Sequence, residues 1–132
     1  MKSVRFYGIR DTRVEDVDVP KILEKDDVII KVKVAGICGS DISKYSKTGP
    51  HMVGEILGHE FSGEVAQVGK EVRSFKIGDR VAVCPAMPCF ECDECKKGLY
   101  SRCNNVAIIG NKELGGCFAE YTKVKERNLI KI

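Results

Sequence analysis

Residues 58–69 read GHEFSGEVAQVG, an apolar-rich segment with a glycine at each end, and the rest of the fold is organised around it. A phenylalanine, two valines and an alanine favour a β-strand between those glycines. His59 and Glu60, a metal-ligand type beside a carboxylate, stand at its entrance. Neighbouring side chains on a regular strand point to opposite faces, so both can serve one site only where the backbone is irregular, as Gly58 permits. Alone, such a pair is more typical of a surface or core histidine than of a metal site.

The composition of the chain predicts one globular domain without a membrane or nucleic-acid partner. The chain has 132 residues, of which 43% are hydrophobic and 31% are charged, enough for a single core. No apolar run approaches the length of a membrane span, and the N-terminus lacks an apolar signal region, so we expect a cytoplasmic protein. The formal net charge of +3 is too small to indicate a nucleic-acid-binding face.

Alternating side chains and turn residues predict many short strands and few helices. Residues 27–35 contain an apolar/charged alternation with the period of a half-buried strand, and a short helix is predicted over 41–46 with Ser40 as its N-cap. Further strands are predicted over residues 1–7, 13–19, 58–69, 81–84, 117–124 and 129–132. Without a linker or a repeat, this pattern predicts a mainly β fold of one domain, either an irregular barrel or a sandwich.

Seven cysteines, an odd number in a cytosolic-looking chain, indicate metal binding rather than a disulfide framework. Four of them follow the spacing Cys89-x2-Cys92-x2-Cys95-x7-Cys103 in a lobe over residues 85–103, and tetrahedral zinc takes four such thiolates. A reactive dithiol, an iron–sulfur cluster and a chance cluster are the alternatives, but the polar, lysine-rich lobe favours structural zinc. Cys84 and Cys117 lack partner spacing and are expected to be small core residues.

A second candidate metal site combines two separate segments. Cys38 ends an apolar run 21 residues before His59, which is followed directly by Glu60. A catalytic zinc keeps a position open for substrate and needs about three protein ligands. Asp41 is placed to accept a hydrogen bond from the ring N–H of His59, and Ser40 to move a proton to or from an alcohol. We therefore predict Cys38, His59 and Glu60 as ligands, and Ser40, Asp41 and Glu60 as catalytic residues.

The order of these motifs resembles a known family. GICGSD at 36–41, GHEFSG at 58–63, KIGDRV at 76–81, the four-cysteine lobe and GGCFAEY at 115–121 follow one another. Together they resemble the N-terminal catalytic domain of zinc-dependent medium-chain alcohol and polyol dehydrogenases over essentially the whole chain. Within the family, PCFEC at 88–92, GLYS at 98–101 and GPH at 49–51 look most like the sorbitol and galactitol-1-phosphate dehydrogenase branch.

The resemblance implies a GroES-like irregular β-barrel over residues 1–132, with short helices, one structural zinc and one catalytic zinc. Cys38 and His59 match ligands of the catalytic zinc, and Glu60 matches a ligand or a close neighbour. A further glutamate is expected beyond residue 132. Two positions depart from the family pattern: Ser43 stands where a relay histidine is common, which leaves the relay beyond Ser40 open, and Cys117 stands where glycine is common.

The resemblance also implies the reaction, in which a secondary alcohol of a polyol or sugar-alcohol phosphate is oxidised to a ketone by NAD or NADP. No glycine-rich dinucleotide fingerprint and no βαβ unit occur in the sequence, so the nucleotide-binding domain is expected after residue 132. The 132-residue chain is accordingly expected to be inactive alone, and the full-length enzyme to be a homo-oligomer. The alternative is a non-catalytic zinc-binding or protein-interaction module with the same fold.

Three basic side chains follow the candidate catalytic cysteine and suggest which substrate the enzyme binds. Lys44, Lys47 and His51 could face the zinc and bind the phosphate of a sugar alcohol. A solvated run of charges is the preferred alternative.

Overall fold

The described part of the chain contains ten short strands and two short α-helices. The computed structural model describes residues 1–111 and 114–132. Its strands are β1 (Lys2–Gly8), β2 (Asp11–Asp16), β3 (Asp27–Ala35), β4 (Glu55–Ile56), β5 (Phe61–Val68), β6 (Arg80–Val83), β7 (Ala86–Met87), β8 (Ala107–Ile108), β9 (Tyr121–Lys125) and β10 (Leu129–Lys131). Two short α-helices, α1 (Gly39–Ser43) and α2 (Asp93–Lys96), complete the regular elements, with a π-helical turn over Lys44–Thr48 and 3₁₀ turns over Tyr100–Arg102 and Glu126–Asn128.

Three antiparallel sheets organise these strands. The largest has the order β10-β6-β5-β3-β9, the second has the order β2-β1-β4, and the third is the pair β7-β8. The mainly β fold with short helices is therefore confirmed. In the described part of the chain the sheets do not close into a true barrel, because the largest sheet ends at β9 on one side and at β10 on the other.

The core forms where β3 lies between β5 and β9. Val28, Ile29 and Ile30 are all fully buried, although neighbouring residues on a strand point to opposite faces. The start of β3 is thus covered on both faces, whereas its last three residues are exposed. The half-buried strand predicted over 27–35 has the predicted bounds, but its first half is more deeply buried than the alternation indicates.

The bounds of two predicted strands differ from those in the structure. The strand predicted over 117–124 begins at Tyr121, because the N–H groups of Gly116 and Cys117 donate to the carbonyls of Ile56 (2.9 Å) and Gly58 (3.0 Å) instead of joining the sheet. The strand predicted over 13–19 ends at Asp16.

The helix after β3 begins earlier than predicted. Cys38, with extended backbone angles, holds the N-cap position, so α1 starts at Gly39 and Ser40 lies inside its first turn. The Asp41 carboxylate accepts a hydrogen bond from the backbone N–H of Cys38 at 3.0 Å and so caps this end. The prediction that Ser40 is the N-cap is therefore wrong. The helical turns run on to Thr48, two residues beyond the predicted end at 46, and Gly49, with a φ of 75°, terminates them.

Asp27 anchors the start of β3 and makes stability depend on pH. Its carboxylate is buried and accepts the N–H groups of Leu23 (2.9 Å) and Glu24 (2.8 Å), and Lys125 Nζ lies 2.9 Å away. Burial raises the pKa of Asp27, but the Glu24 N–H, the Lys125 ammonium and the Leu23 N–H outweigh it and lower the pKa to about 2. The ionised form is thus favoured in the folded state.

We expect Asp27→Asn to lower the free energy of unfolding at pH 7 by on the order of 2 kcal/mol. Because folding lowers the pKa of Asp27, its ionised carboxylate stabilises the protein at pH values above about 4, which is the pKa of aspartate in the unfolded state. This stabilisation is lost as the pH falls towards 2. The difference in the free energy of unfolding between Asp27→Asn and the unsubstituted protein should therefore shrink over that range. Urea unfolding at pH 7 and at stepwise lower pH measures it. Asp18→Asn, at an exposed aspartate, is the control, and a difference that stays constant with pH would contradict the prediction.

Candidate metal centres and active-site pocket

The four cysteines of the lobe converge on one point. The Sγ atoms of Cys89, Cys92, Cys95 and Cys103 all lie within 4.8 Å of one another, and none is in a disulfide. Helix α2 begins directly after Cys92 and carries Cys95, which is buried, and the 3₁₀ turn Tyr100–Arg102 leads to Cys103. The spacing found in the sequence therefore does bring all four thiols together.

The backbone around these thiols favours thiolates at two of the four positions. The N–H groups of Cys95 and Asn104 lower the pKa of Cys92 to about 6, and the N–H of Cys89, 3.3 Å from the Cys103 sulfur, lowers the pKa of Cys103. Burial raises the pKa of Cys95 to about 12. Four converging sulfur atoms with no open position fit a closed, structural zinc site.

The second cluster lies where β3 ends and β5 begins. The ligand atoms of Cys38, His59 and Glu60 also lie within 4.8 Å of one another. The antiparallel register pairs Ala35 with Phe61, so the residues just after β3 and just before β5 are neighbours in space. One thiol, one imidazole and one carboxylate that leave room for a further ligand fit a catalytic zinc site.

An irregular backbone lets adjacent residues serve this cluster. Gly58 has a φ of 92°, and residues 57–60 lie outside any strand, which confirms the irregularity that a shared site requires. A Cβ at Gly58 would lie 2.7 Å from the sulfur of Cys117, so no other residue fits there without movement. His59 is half-buried and Glu60 is exposed, so the cluster is open on the Glu60 side.

Asp41 supports the cluster mainly through the backbone. One of its oxygens accepts the Cys38 N–H described above, while the other lies 3.7 Å from His59 Nδ1. That separation is longer than a hydrogen bond, so the predicted direct bond from the His59 ring to Asp41 is not formed in this structure. Asp41 itself is buried, with 6% of its surface exposed, which places its charge next to the imidazole with little solvent screening.

A cavity of about 180 Å³ adjoins the second cluster. Its lining is Ser40, Asp41, Lys44, His51, His59, Ile108 and Asn111. The structure thus places the predicted proton carrier Ser40 and the predicted ligand His59 on one cavity. Asn111 joins them from the chain after the lobe, a contribution that no local sequence pattern indicates.

The three basic side chains predicted to bind phosphate are placed differently from one another. Lys44 is turned inward, where its ammonium group donates to Asn111 Oδ1 at 2.6 Å and lies 3.5 Å from Glu55 Oε1. His51 is exposed at the edge of the cavity, and Lys47 is exposed and does not line it. The charges do not form one cluster.

The two remaining cysteines differ in burial. Cys117 lies in the core, as predicted, and burial raises the pKa of its thiol to about 12. Cys84 is exposed, so the prediction of a core position is wrong: β6 ends at Val83, and Cys84 follows beyond the sheet. In the described residues, no helix is both long enough and apolar enough to cross a membrane.

The sequence of the chain matches a known protein family. The profile described as "Alcohol dehydrogenase GroES-like domain" matches residues 24–132. Galactitol 1-phosphate 5-dehydrogenase of Escherichia coli (strain K12) is 43% identical over 134 residues, which cover 98% of this chain and 37% of that protein. Sorbitol dehydrogenase of Bacillus subtilis (strain 168) is 41% identical over 130 residues, which cover 96% of this chain and 36% of that protein.

Solved structures agree with the sequence comparisons. The crystal structure of galactitol-1-phosphate dehydrogenase from Escherichia coli superposes with a TM-score of 0.94 at 42% identity, covering 100% of this chain and 38% of that one. Alcohol dehydrogenase TADH from Thermus sp. ATN1 superposes with a TM-score of 0.89 at 32% identity, covering 100% of this chain and 40% of that one. The chain thus spans well under half the length of the proteins it matches.

Proposed function

Because the chain belongs to the alcohol dehydrogenase GroES-like domain family, we propose that it is the catalytic domain of a zinc-dependent NAD(P) oxidoreductase. The reaction is the oxidation of a secondary alcohol, in a polyol or sugar-alcohol phosphate, to a ketone. The observation that carries this proposal is the open cluster of Cys38, His59 and Glu60 beside a cavity that also contains Ser40. The relatives named for galactitol 1-phosphate and sorbitol support the substrate class.

The three clustered residues, together with Ser40 and Asp41, have distinct roles in this proposal. Cys38, His59 and Glu60 hold a catalytic zinc ion, which when bound supplies a Lewis acid for the alcohol oxygen. Ser40 takes the hydroxyl proton, and the Asp41 carboxylate holds the Cys38 segment in place and lies beside the His59 ring. The hydride acceptor is NAD or NADP, for which residues 1–132 offer no glycine-rich fingerprint, so this chain is expected to be inactive by itself.

The other predicted properties of the enzyme follow from the resemblance and from composition. Cys89, Cys92, Cys95 and Cys103 hold a structural zinc ion that fixes the lobe. The substrate is a small molecule, with no nucleic-acid or membrane partner, and the complete enzyme is a cytoplasmic homo-oligomer. The rival function, a non-catalytic zinc or interaction module, accounts for the lobe but gives no role to the open cluster and its cavity.

Cobalt(II) titration of the protein after a chelator has removed its zinc tests the proposal, because cobalt then occupies the zinc sites and its visible absorption reports the ligands. We expect two cobalt ions per chain, one held tightly by the lobe and one more weakly by the open cluster. Cys38→Ser should weaken the second by more than about 100-fold, since loss of a neighbouring support alone costs 10–100-fold. The lobe should be unaffected.

Cys84→Ser is the matched control, because Cys84 is exposed and lies outside both clusters. It should leave both cobalt sites unchanged. A single cobalt site in the unsubstituted protein, or two equally strong sites in Cys38→Ser, would contradict the proposed function.

A further inference from the structure

We propose that Lys44 is a substrate-positioning residue, whose ammonium group donates a hydrogen bond to a second hydroxyl of a polyol bound in the cavity. This inference rests on the proposed function and specifies the chemistry of the substrate. The residue acts on a part of the substrate that does not react.

The position of Lys44 follows from the helix that carries Ser40. The backbone N–H of Lys44 donates to the carbonyl of Ser40, one helical turn earlier, so the two side chains share a face. Both line the cavity of about 180 Å³, together with His59. A substrate whose reacting hydroxyl lies near Ser40 therefore presents its adjoining carbon atoms to Lys44.

Two acceptors outside the helical segment hold the Lys44 side chain in this position. Asn111 Oδ1 is 2.6 Å from Nζ, and Glu55 Oε1 is 3.5 Å away. Only 15% of the Lys44 side chain is exposed, which is unusual for lysine and means that most of its conformational freedom is already lost before a ligand arrives. A donor fixed in advance loses less entropy on binding than a flexible one.

The Asn111 contact is itself held close to the metal-binding segment. Gly110, next to Asn111, has a φ of 80°, and a Cβ there would lie 2.6 Å from the carbonyl oxygen of Gly58. The chain after the lobe is thus packed directly against the residue that precedes His59. Lys44 is therefore positioned relative to the candidate metal ligands by backbone contacts, not by a mobile surface loop.

The number of donors leaves Lys44 able to bind a ligand. An ammonium group has three N–H donors, and the described residues provide it with two side-chain acceptors, Asn111 and Glu55. The third donor remains for an oxygen atom in the cavity. A purely structural lysine, placed only to offset Glu55, has no need to line the same cavity as Ser40 and His59.

The charge balance favours a hydroxyl over a phosphate at this position. The Glu55 side chain has no exposed surface and offsets the charge of Lys44. A phosphate group is bound best by cations whose charge is not already balanced, whereas a neutral hydroxyl requires only a donor. Lys47, which remains exposed, does not line the cavity, so His51 at its exposed edge is the further basic side chain there, apart from the candidate ligand His59.

The test compares ligands that offer Lys44 a second hydroxyl, no second hydroxyl, or a phosphate group. Cobalt(II)-loaded protein is titrated with sorbitol, propan-2-ol and galactitol 1-phosphate, and binding is followed by the visible absorption of cobalt and by calorimetry. We expect Lys44→Met to weaken sorbitol binding by about 10-fold or more, the usual effect of losing a hydrogen bond from a charged group. Binding of propan-2-ol, which has no second hydroxyl, should change by less than about twofold. Lys44→Arg should restore most of the sorbitol affinity, because a donor is retained.

Two further variants separate the role of Lys44 in binding from a role in folding. Lys47→Met removes an exposed lysine three positions away and should change nothing. In the double variant Lys44→Met with Glu55→Gln, the buried carboxylate that Lys44 pairs with is also replaced, so no charge is left without this counter-charge. This variant should show the same selective loss of affinity for sorbitol.

Each other result overturns the inference in a recognisable way. If Lys44→Met weakens the binding of sorbitol and of propan-2-ol equally, or changes the binding of neither, Lys44 has only a structural role. If galactitol 1-phosphate loses much more affinity than sorbitol, Lys44 binds phosphate instead of a hydroxyl. If the unsubstituted protein binds no cobalt at Cys38, His59 and Glu60, the proposed function itself fails, and the titration shows this before any Lys44 variant is compared.

Discussion

Replacing Cys95 by serine is expected to remove one tightly bound zinc ion per chain and to disorder the lobe over residues 85–103. Cys95 is the most deeply buried of the four clustered cysteines, with 5% of its surface exposed, and it is carried by the four-residue helix α2. So short a helix has almost no stability of its own. Structural zinc supplies apparent binding free energies of about 10–16 kcal/mol in zinc-finger peptides, and this energy is what holds such a lobe together.

Metal analysis and thermal unfolding measure the effect of Cys95→Ser. The unsubstituted protein should retain zinc through purification, whereas the variant should lack this ion and unfold at a lower temperature. Cys84→Ser removes a thiol just outside the lobe that ligates nothing, so it should change neither quantity. Iron in place of zinc, or a metal-free protein with these thiols paired as disulfides, would be inconsistent with a structural zinc site.

Ser40→Ala is expected to lower turnover of the complete enzyme by roughly 10²–10⁴-fold, the usual contribution of general acid–base transfer. Ser40 lines the same cavity as His59, so its hydroxyl is placed to take the proton of the reacting alcohol. Because Cys38 rather than Ser40 holds the N-cap of α1, the substitution should cause little loss of stability. Steady-state kinetics and urea unfolding separate these two effects.

Ser40→Thr is the matched variant, since it retains the hydroxyl and should keep most of the activity. Zinc content should be the same in both variants, because Ser40 is not among the clustered ligands. Near-normal turnover in Ser40→Ala, or loss of zinc from it, would show that Ser40 supports the site instead of moving the proton.

The features predicted correctly from the sequence are those governed by local residue type. β3 has its predicted bounds, although its first half is buried on both faces, and Gly58 indicates an irregular backbone because glycine alone reaches its φ without strain. The four clustered cysteines are close in sequence, so one loop brings them together. Local spacing is a reliable guide when the interacting residues share one segment.

The features that the sequence did not predict have different physical causes. Lys44 and Asn111 are 67 positions apart, so no local pattern indicates that one holds the other. The cap of α1 was misassigned because serine is a common N-cap, whereas here Asp41 satisfies the backbone of Cys38. Cys84 was expected in the core from its residue type, but its exposure depends on where β6 ends.

The position of β3 between β5 and β9 also sets the order in which the chain can fold during synthesis. Lys125, at the end of β9, contacts Asp26 across 99 positions of sequence, whereas β5 follows β3 closely. At a translation rate of about 5–20 residues per second, β9 is synthesised roughly 5–20 s after β3. Because β5 is available first, Cys38 can meet His59 and Glu60 while the sheet is still incomplete. We therefore expect the nascent chain to pass through a stage in which Cys38, His59 and Glu60 are already close together while β3 still has an unpaired edge.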